Sequence, residues 1–168
     1  MGCGKSSVGR KLSELLCCSF VDLDNVIEER EGRSIPEIFA TEGEATFRQM
    51  ELDALRTIIC HSDSQSDSKR HLVIALGGGT VMTNECAELV QNKTCCIYLK
   101  ASVETLVEHL AGEAAGRPML ADADLRTRIE TLMQQRAATY EKTAHIIVDT
   151  DGRSIDSIAD DIIRSGSL

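Results

Sequence analysis

Gly2-Cys3-Gly4-Lys5-Ser6-Ser7 runs directly into an apolar helical pattern, Val8, Leu12, Leu15 and Leu16, and this junction decides the fold. Glycines let backbone N–H groups turn toward phosphate oxygens, and a helix start adds favourable potential for an anion. In such a loop Gly2 to Ser7 cradle the phosphates of a nucleotide, Lys5 reaches the β- and γ-phosphates, and the Ser6 hydroxyl holds Mg²⁺. A Gly-Lys-Ser triplet alone arises by chance; one with a glycine-rich approach and an immediate amphipathic helix is far more specific. The complete pattern G-x-x-x-x-G-K-[ST] expects another glycine five residues before Gly4 and a strand before that. That strand belongs in the middle of the sheet. The sequence therefore reads as an amino-terminally shortened form of a longer protein.

Outward from this junction, short apolar runs alternate with helical patterns. Phe20-Val21 reads as a strand ending in Asp22-Leu23-Asp24, and a brief helix through Val26 and Ile27 stops near Gly32. Ser34-Ile35-Pro36-Glu37 has the form of a capping box with proline in the first turn. A longer helix is predicted over 44–61, followed by a polar loop from His61 to Ser68. Leu72 to Leu76, Cys95 to Leu99 and Ile146 to Val148 are unbroken apolar strands, which suits a parallel sheet covered on both faces. Helices over about 84–91, 102–111, 124–140 and 154–165 complete the alternation, with Ser102 and Ser154 as N-caps. The fold class is α/β: a doubly wound parallel sheet flanked by helices, in one domain over 1–168.

Composition narrows the function. The 168 residues carry 18 Lys+Arg against 27 Asp+Glu, a net charge of −9, which excludes a general nucleic-acid or anionic-membrane binder. No apolar run approaches the length of a membrane span, and no charged-then-apolar leader opens the chain. Seven cysteines without C-x-x-C spacing read as small buried hydrophobes in a reducing cytosol, so a cytoplasmic location is expected. The histidines show no metal-ligand spacing.

Several motifs, in order along nearly the whole chain, carry a resemblance. The run from Phe20 to Glu51, Gly77-Gly78-Gly79 after a strand, Arg117-Pro118-Met119-Leu120, and Arg136-x-x-x-Tyr140 closely resemble the shikimate kinase family. The resemblance implies a P-loop, nucleoside-monophosphate-kinase-like fold with a five-stranded parallel sheet, a substrate-binding segment over about 24–61 and a lid over about 111–124. It implies MgATP-dependent phosphorylation of the 3-hydroxyl of shikimate, a step toward the aromatic amino acids, by a monomer whose partners are shikimate and ATP. By the same likeness Asp24 faces the reacting hydroxyl, and Arg48, Arg136 and Gly77, Gly78 and Gly79 hold shikimate. Lys5 and Arg117 attend the phosphates, Arg153 lies near the adenine, and Asp22 supports Mg²⁺ through water.

The residue chemistry agrees with those roles. A carboxylate on a small polyhydroxylated ring calls for a planar guanidinium fork. Glu51, three residues after Arg48, stands where it can fix that side chain. Three glycines after a buried strand cost backbone entropy, which points to close approach of a ligand. Phe39 and Phe47 are expected in the core or against the ring's apolar face. One departure stands out: where the family often carries another arginine before the lid, this chain has His109-Leu110. Two other readings stay open at this level, a related kinase for gluconate or a nucleoside monophosphate, and a nucleotide-binding relative without catalysis.

Overall fold

Each strand is four residues long and pairs in parallel. The computed structural model of the protein describes residues 2–64, 72–113 and 122–166. The element order is α1 (Lys5–Leu15), β1 (Ser19–Asp22), α2 (Leu23–Glu31), α3 (Ile35–Ser64), β2 (Leu72–Ala75), α4 (Asn84–Lys93), β3 (Ile97–Lys100), α5 (Val103–Glu113), α6 (Asp122–Thr143), β4 (Ile146–Asp149) and α7 (Ile155–Arg164). A 3-10 turn, Thr80–Met82, separates β2 from α4. The alternation of strand and helix follows the sequence reading closely. A single continuous sheet does not form among the described residues: β1 pairs with β2 and β3 with β4, as two separate parallel ladders. A cavity of about 460 Å³ is lined by residues of both β2 and β3, and no ladder joins these two strands among the described residues.

Local chemistry sets the element boundaries. Gly4 adopts a left-handed conformation (φ 75°) at the start of α1, which a side chain there would resist. Asp22 ends β1 and also caps α2, its Oδ1 accepting from the Asp24 N–H at 3.2 Å. Asp22 and Asp24 thus sit at a strand end and in a helical first turn, not on a loop. The expected helix over 44–61 belongs to a longer element that bends at Gly43 (φ 81°, ψ 174°), dividing Ile35–Ser64 into two helical pieces. Ser34 behaves as predicted, with both its N–H and its hydroxyl donating to Glu37 Oε2 at 2.8 and 2.6 Å.

Three clusters make the core. Leu23, Ile27, Ile38, Phe47, Leu55 and Val90 join α2, α3 and α4. Val8, Leu12, Leu99, Val148 and Ile162 bury α1 and α7 against β3 and β4. Leu106 and Ile129 pack α5 on α6. Each fully buried Leu or Ile here stabilises by roughly 1.5–3 kcal/mol, so the ends of the strands are held by packed helices rather than by the short ladders alone. Of the seven cysteines only Cys86 is fully buried; Cys17 and Cys60 are exposed and the rest are half-buried, so the expectation of mostly buried thiols is corrected. None is in a disulfide. No described helix is long and apolar enough to cross a membrane.

Candidate active site

The carboxyl ends of β1 and β2, the start of α1, and α3 and α6 bring Lys5, Asp24, Arg48 and Arg136 around the turn Gly77 to Gly79. Parallel strands with right-handed helical crossovers place their carboxyl ends on one side of a sheet, and ligands collect there. Ser6, in the first turn of α1, donates to Asp22 Oδ2 at 2.7 Å. No side chain caps α1, so its first N–H groups are open to an anion, and no atom lies within 4 Å of where a Gly4 Cβ would stand. Lys5 is near enough to Asp24 to act on its carboxyl charge. Cys3 and Lys5 line a smaller cavity of about 110 Å³ with Gly77, Gly78, Tyr98 and Tyr140. Ser7, beside them, faces outward.

Asp24 is half-buried, and its carboxyl is pushed above the ordinary range. Burial is the main cause, reinforced by the neighbouring Asp22 and Glu51 carboxylates; Lys5 pulls the other way. A raised carboxyl is a stronger proton acceptor once ionised, which suits a group that orients a hydroxyl. Its Oδ1 lies 2.8 Å from where a Cβ at Gly77 would stand. Any side chain at Gly77 would displace it.

Glu51 is the structural centre of the cluster around Arg48. Only 1% exposed, it accepts from Arg48 Nη1 through Oε2 and from Thr80 Oγ1 through Oε1, both at 2.5 Å. Arg48 also donates to Glu44 Oε1 at 2.8 Å, and its guanidinium stacks 5.6 Å over the Phe47 ring. A Cβ at Gly79 would collide with that guanidinium, so the third glycine is needed for Arg48 to lie where it does. From α6, Arg136 Nη1 and Tyr140 Oη both donate to Gly78 O, at 3.2 and 2.5 Å. All three glycines are thus in use: Gly77 against Asp24, Gly78 for α6, Gly79 for Arg48.

Other predicted residues fall elsewhere. Arg153 donates to Asp149 O, Ser157 O and Asp161, alongside the Ser102 to Asp151 link. Arg117 and most of the lid lie outside the described residues. His109, at the position of the expected arginine, donates from Nδ1 to Gly2 O at 2.7 Å and so ties α5 to the phosphate loop. Phe47 is buried against Phe39, ring centroids 4.7 Å apart, while Phe39 is partly exposed. Sequence reasoning assigned no role to Thr80 or to Tyr140. Tyr140 was signalled by its place four residues after Arg136 on one helix face; Thr80 carries no signal beyond following three glycines.

An open, basic helix start, an acid pair at a strand end and two arginines over a glycine turn, all at the carboxyl ends of parallel strands, define a P-loop kinase of small molecules. The sequence profile of the family described as shikimate kinase matches residues 1–166. The chain is 40% identical over 164 residues to the shikimate kinase of Thermus thermophilus, covering 98% of this chain and 84% of that one. With the shikimate kinase of Rhodopirellula baltica it shares 36% over 167 residues, 98% of this chain and 85% of the other. In structure it is similar to the shikimate kinase of Acinetobacter baumannii in complex with shikimate, with a TM-score of 0.83 at 32% identity, covering 100% of this chain and 90% of that one. The enzyme from Bacteroides thetaiotaomicron gives a TM-score of 0.86 at 25% identity, covering 100% and 94%. This chain belongs to the shikimate kinase family. It is an ATP-dependent kinase acting on a hydroxyl of shikimate.

Proposed function

We propose that the γ-phosphoryl group of ATP passes to the 3-hydroxyl of shikimate in the crevice bounded by Lys5, Asp24, Arg48, Gly78 and Arg136. The observation that carries this reading is the Arg48–Glu51–Thr80 chain, which holds a guanidinium beside the same glycine turn that meets Asp24 and Arg136. Arg48 and Arg136 bind the ring carboxylate, a match of planar fork to planar anion. Asp24 accepts a hydrogen bond from the 3-hydroxyl and turns its oxygen toward the γ-phosphorus. Its proton follows as the new O–P bond forms, since phosphoryl transfer depends on positioning more than on prior deprotonation. Lys5 neutralises charge on the phosphates, and the open N–H groups of α1 bind their oxygens.

Ser6 and Asp22 fit a magnesium ion. Their oxygens meet at 2.7 Å beside the phosphate loop and are hard donors of the kind Mg²⁺ takes, Asp22 acting through water. Bound there, the ion neutralises the charge of the triphosphate. Arg117 is assigned to the phosphates and Arg153 to the adenine side. A coupled ADP-release assay with shikimate, gluconate and AMP tests the reading. Turnover confined to shikimate is expected; turnover with gluconate or AMP alone, or none with any acceptor, overturns it.

A further inference from the structure

Helix α5 meets the phosphate loop through main chain and side chains that lie far apart in sequence. His109 Nδ1 donates to Gly2 O at 2.7 Å, across 107 residues. A carbonyl oxygen can only accept, so Nδ1 of His109 carries the hydrogen. Leu110 covers Gly2 so closely that a Cβ there would stand 3.0 Å from Leu110 Cγ. Cys3 packs beside them, on the cluster of Ala101, Leu106 and Ile129. The helix is itself anchored: Asp151 accepts from the Ser102 N–H at 2.9 Å at its start, and Leu106 packs on Ile129 of α6. The anchored helix fixes the ring, and the ring fixes the loop.

The backbone of the loop shows what this contact does. Gly2 and Gly4 have φ of 65° and 75°, while Cys3 between them does not take a positive φ. Alternating hand at successive residues curls the peptide N–H groups toward one concave side, a nest for anions. A trans peptide carries its C=O and the following N–H on opposite sides, and no described peptide is cis. With Gly2 O drawn to α5, the Cys3 N–H is turned to the side away from α5. Glycine populates both hands about equally, so the peptide that follows Gly2 is the joint of this loop that turns most freely. A restraint from outside the loop acts most strongly there.

We infer that His109 is a positioning residue for the nucleotide phosphates: by holding Gly2 O it sets the peptide plane from which the Cys3 N–H donates to a phosphate oxygen. The inference rests on the reading of Gly2 to Ser7 as the phosphate site. The ring acts through the main chain and touches neither the base nor shikimate. Its loss leaves the loop to be ordered at the moment of binding, and that ordering is subtracted from affinity. Every ligand with the same phosphate chain should therefore weaken by the same factor, whatever base it carries.

The test compares the full chain with His109→Ala, His109→Phe and His109→Asn. Phe keeps a ring without a donor; Asn places an Nδ2–H close to where Nδ1–H was. Calorimetry reads the binding of ADP, of inorganic tripolyphosphate, which has no base, and of adenosine, which has no phosphate; none of these requires turnover. Expected in His109→Ala and His109→Phe is about fivefold weaker binding of ADP and of tripolyphosphate alike, the size of one lost neutral hydrogen bond. His109→Asn should recover most of that loss, and adenosine binding and the KM for shikimate should hold in every variant. The Cys3 amide resonance should shift in the Ala and Phe variants and return in Asn. Weaker ADP with unchanged tripolyphosphate would make the ring a contact to the base and overturns the inference. So does equal affinity throughout, and so does an equal loss in Ala, Phe and Asn, which would assign the effect to packing. A wild-type chain that binds adenosine but neither phosphate ligand overturns the reading of the loop itself, and this inference with it, so the two failures give different results.

Discussion

Replacing Glu51 with alanine removes one buried carboxylate and strips two groups of their partner. Breaking a buried ion pair typically costs about 3–5 kcal/mol, but the Arg48 side chain is 19% exposed and keeps Glu44, so the lower part of that range applies. Thr80 is fully buried and loses the acceptor for its hydroxyl. Together a loss of about 2–4 kcal/mol is expected, or roughly 5–15 °C in the thermal midpoint of a domain this size. Function should fall on one substrate. With Arg48 released from the glycine turn, the KM for shikimate rises about 10²-fold while the KM for ATP holds, because misplacement of a binding group by an ångström costs that much. Glu51 also raises the Asp24 carboxyl, so the acid limb of the kcat profile moves to lower pH in the variant. Glu51→Gln keeps one oxygen to accept from Arg48 and offers its NH2 to the Thr80 hydroxyl, which can accept in turn, so it should recover part of the stability and part of the KM. Steady-state kinetics with each substrate varied, alongside thermal melts, measure all of this. A destabilised Glu51→Ala with an unchanged shikimate KM would refute the reasoning and leave Glu51 a packing residue only.

Asp24→Asn should lower kcat by about 10²–10⁴ and raise the thermal midpoint at pH 7. The folded-state carboxyl is raised, so wild-type stability falls as pH climbs through the interval above the ordinary aspartate range; the melting gap between the two proteins should therefore close in acid. A gap that widens in acid contradicts this. Gly79→Ala tests the Arg48 contact without backbone strain, since Gly79 has φ −104°: shikimate KM should rise about 10- to 100-fold with ATP KM constant, and equal changes in both would point to general disruption. Asp22→Asn should raise the Mg²⁺ concentration for half-maximal rate by about 10- to 100-fold, measured at fixed ATP; an unmoved Mg²⁺ dependence removes Asp22 from the metal site. For Arg117→Ala, turnover should drop about 10³–10⁵-fold at constant shikimate KM, and a normal turnover would end its assigned role at the phosphates.

Much of the site was legible because its members announce themselves locally. Gly4-Lys5-Ser6 precedes a helix, Asp22 and Asp24 follow a strand, and Arg136 and Tyr140 share a helix face four residues apart. What stayed hidden depends on contacts between distant segments. The separation of the strands into two ladders, the bond from Thr80 to Glu51 across 29 residues and that from His109 to Gly2 across 107 leave no periodic trace. Arg153 shows the same limit: its position in the sequence says nothing of the Asp161 carboxylate that draws it along α7.

By itself the sequence determined which residues form strands and helices, because propensity, capping and apolar spacing act over a few neighbours. It also determined the class of chemistry, because a phosphate loop is a local backbone shape. Only the tertiary structure decided that Gly77, Gly78 and Gly79 each serve a different partner, and that a buried carboxylate ties Arg48 to their turn. Those outcomes rest on how packed helices bring remote side chains within hydrogen-bond distance, and no short-range rule specifies that distance.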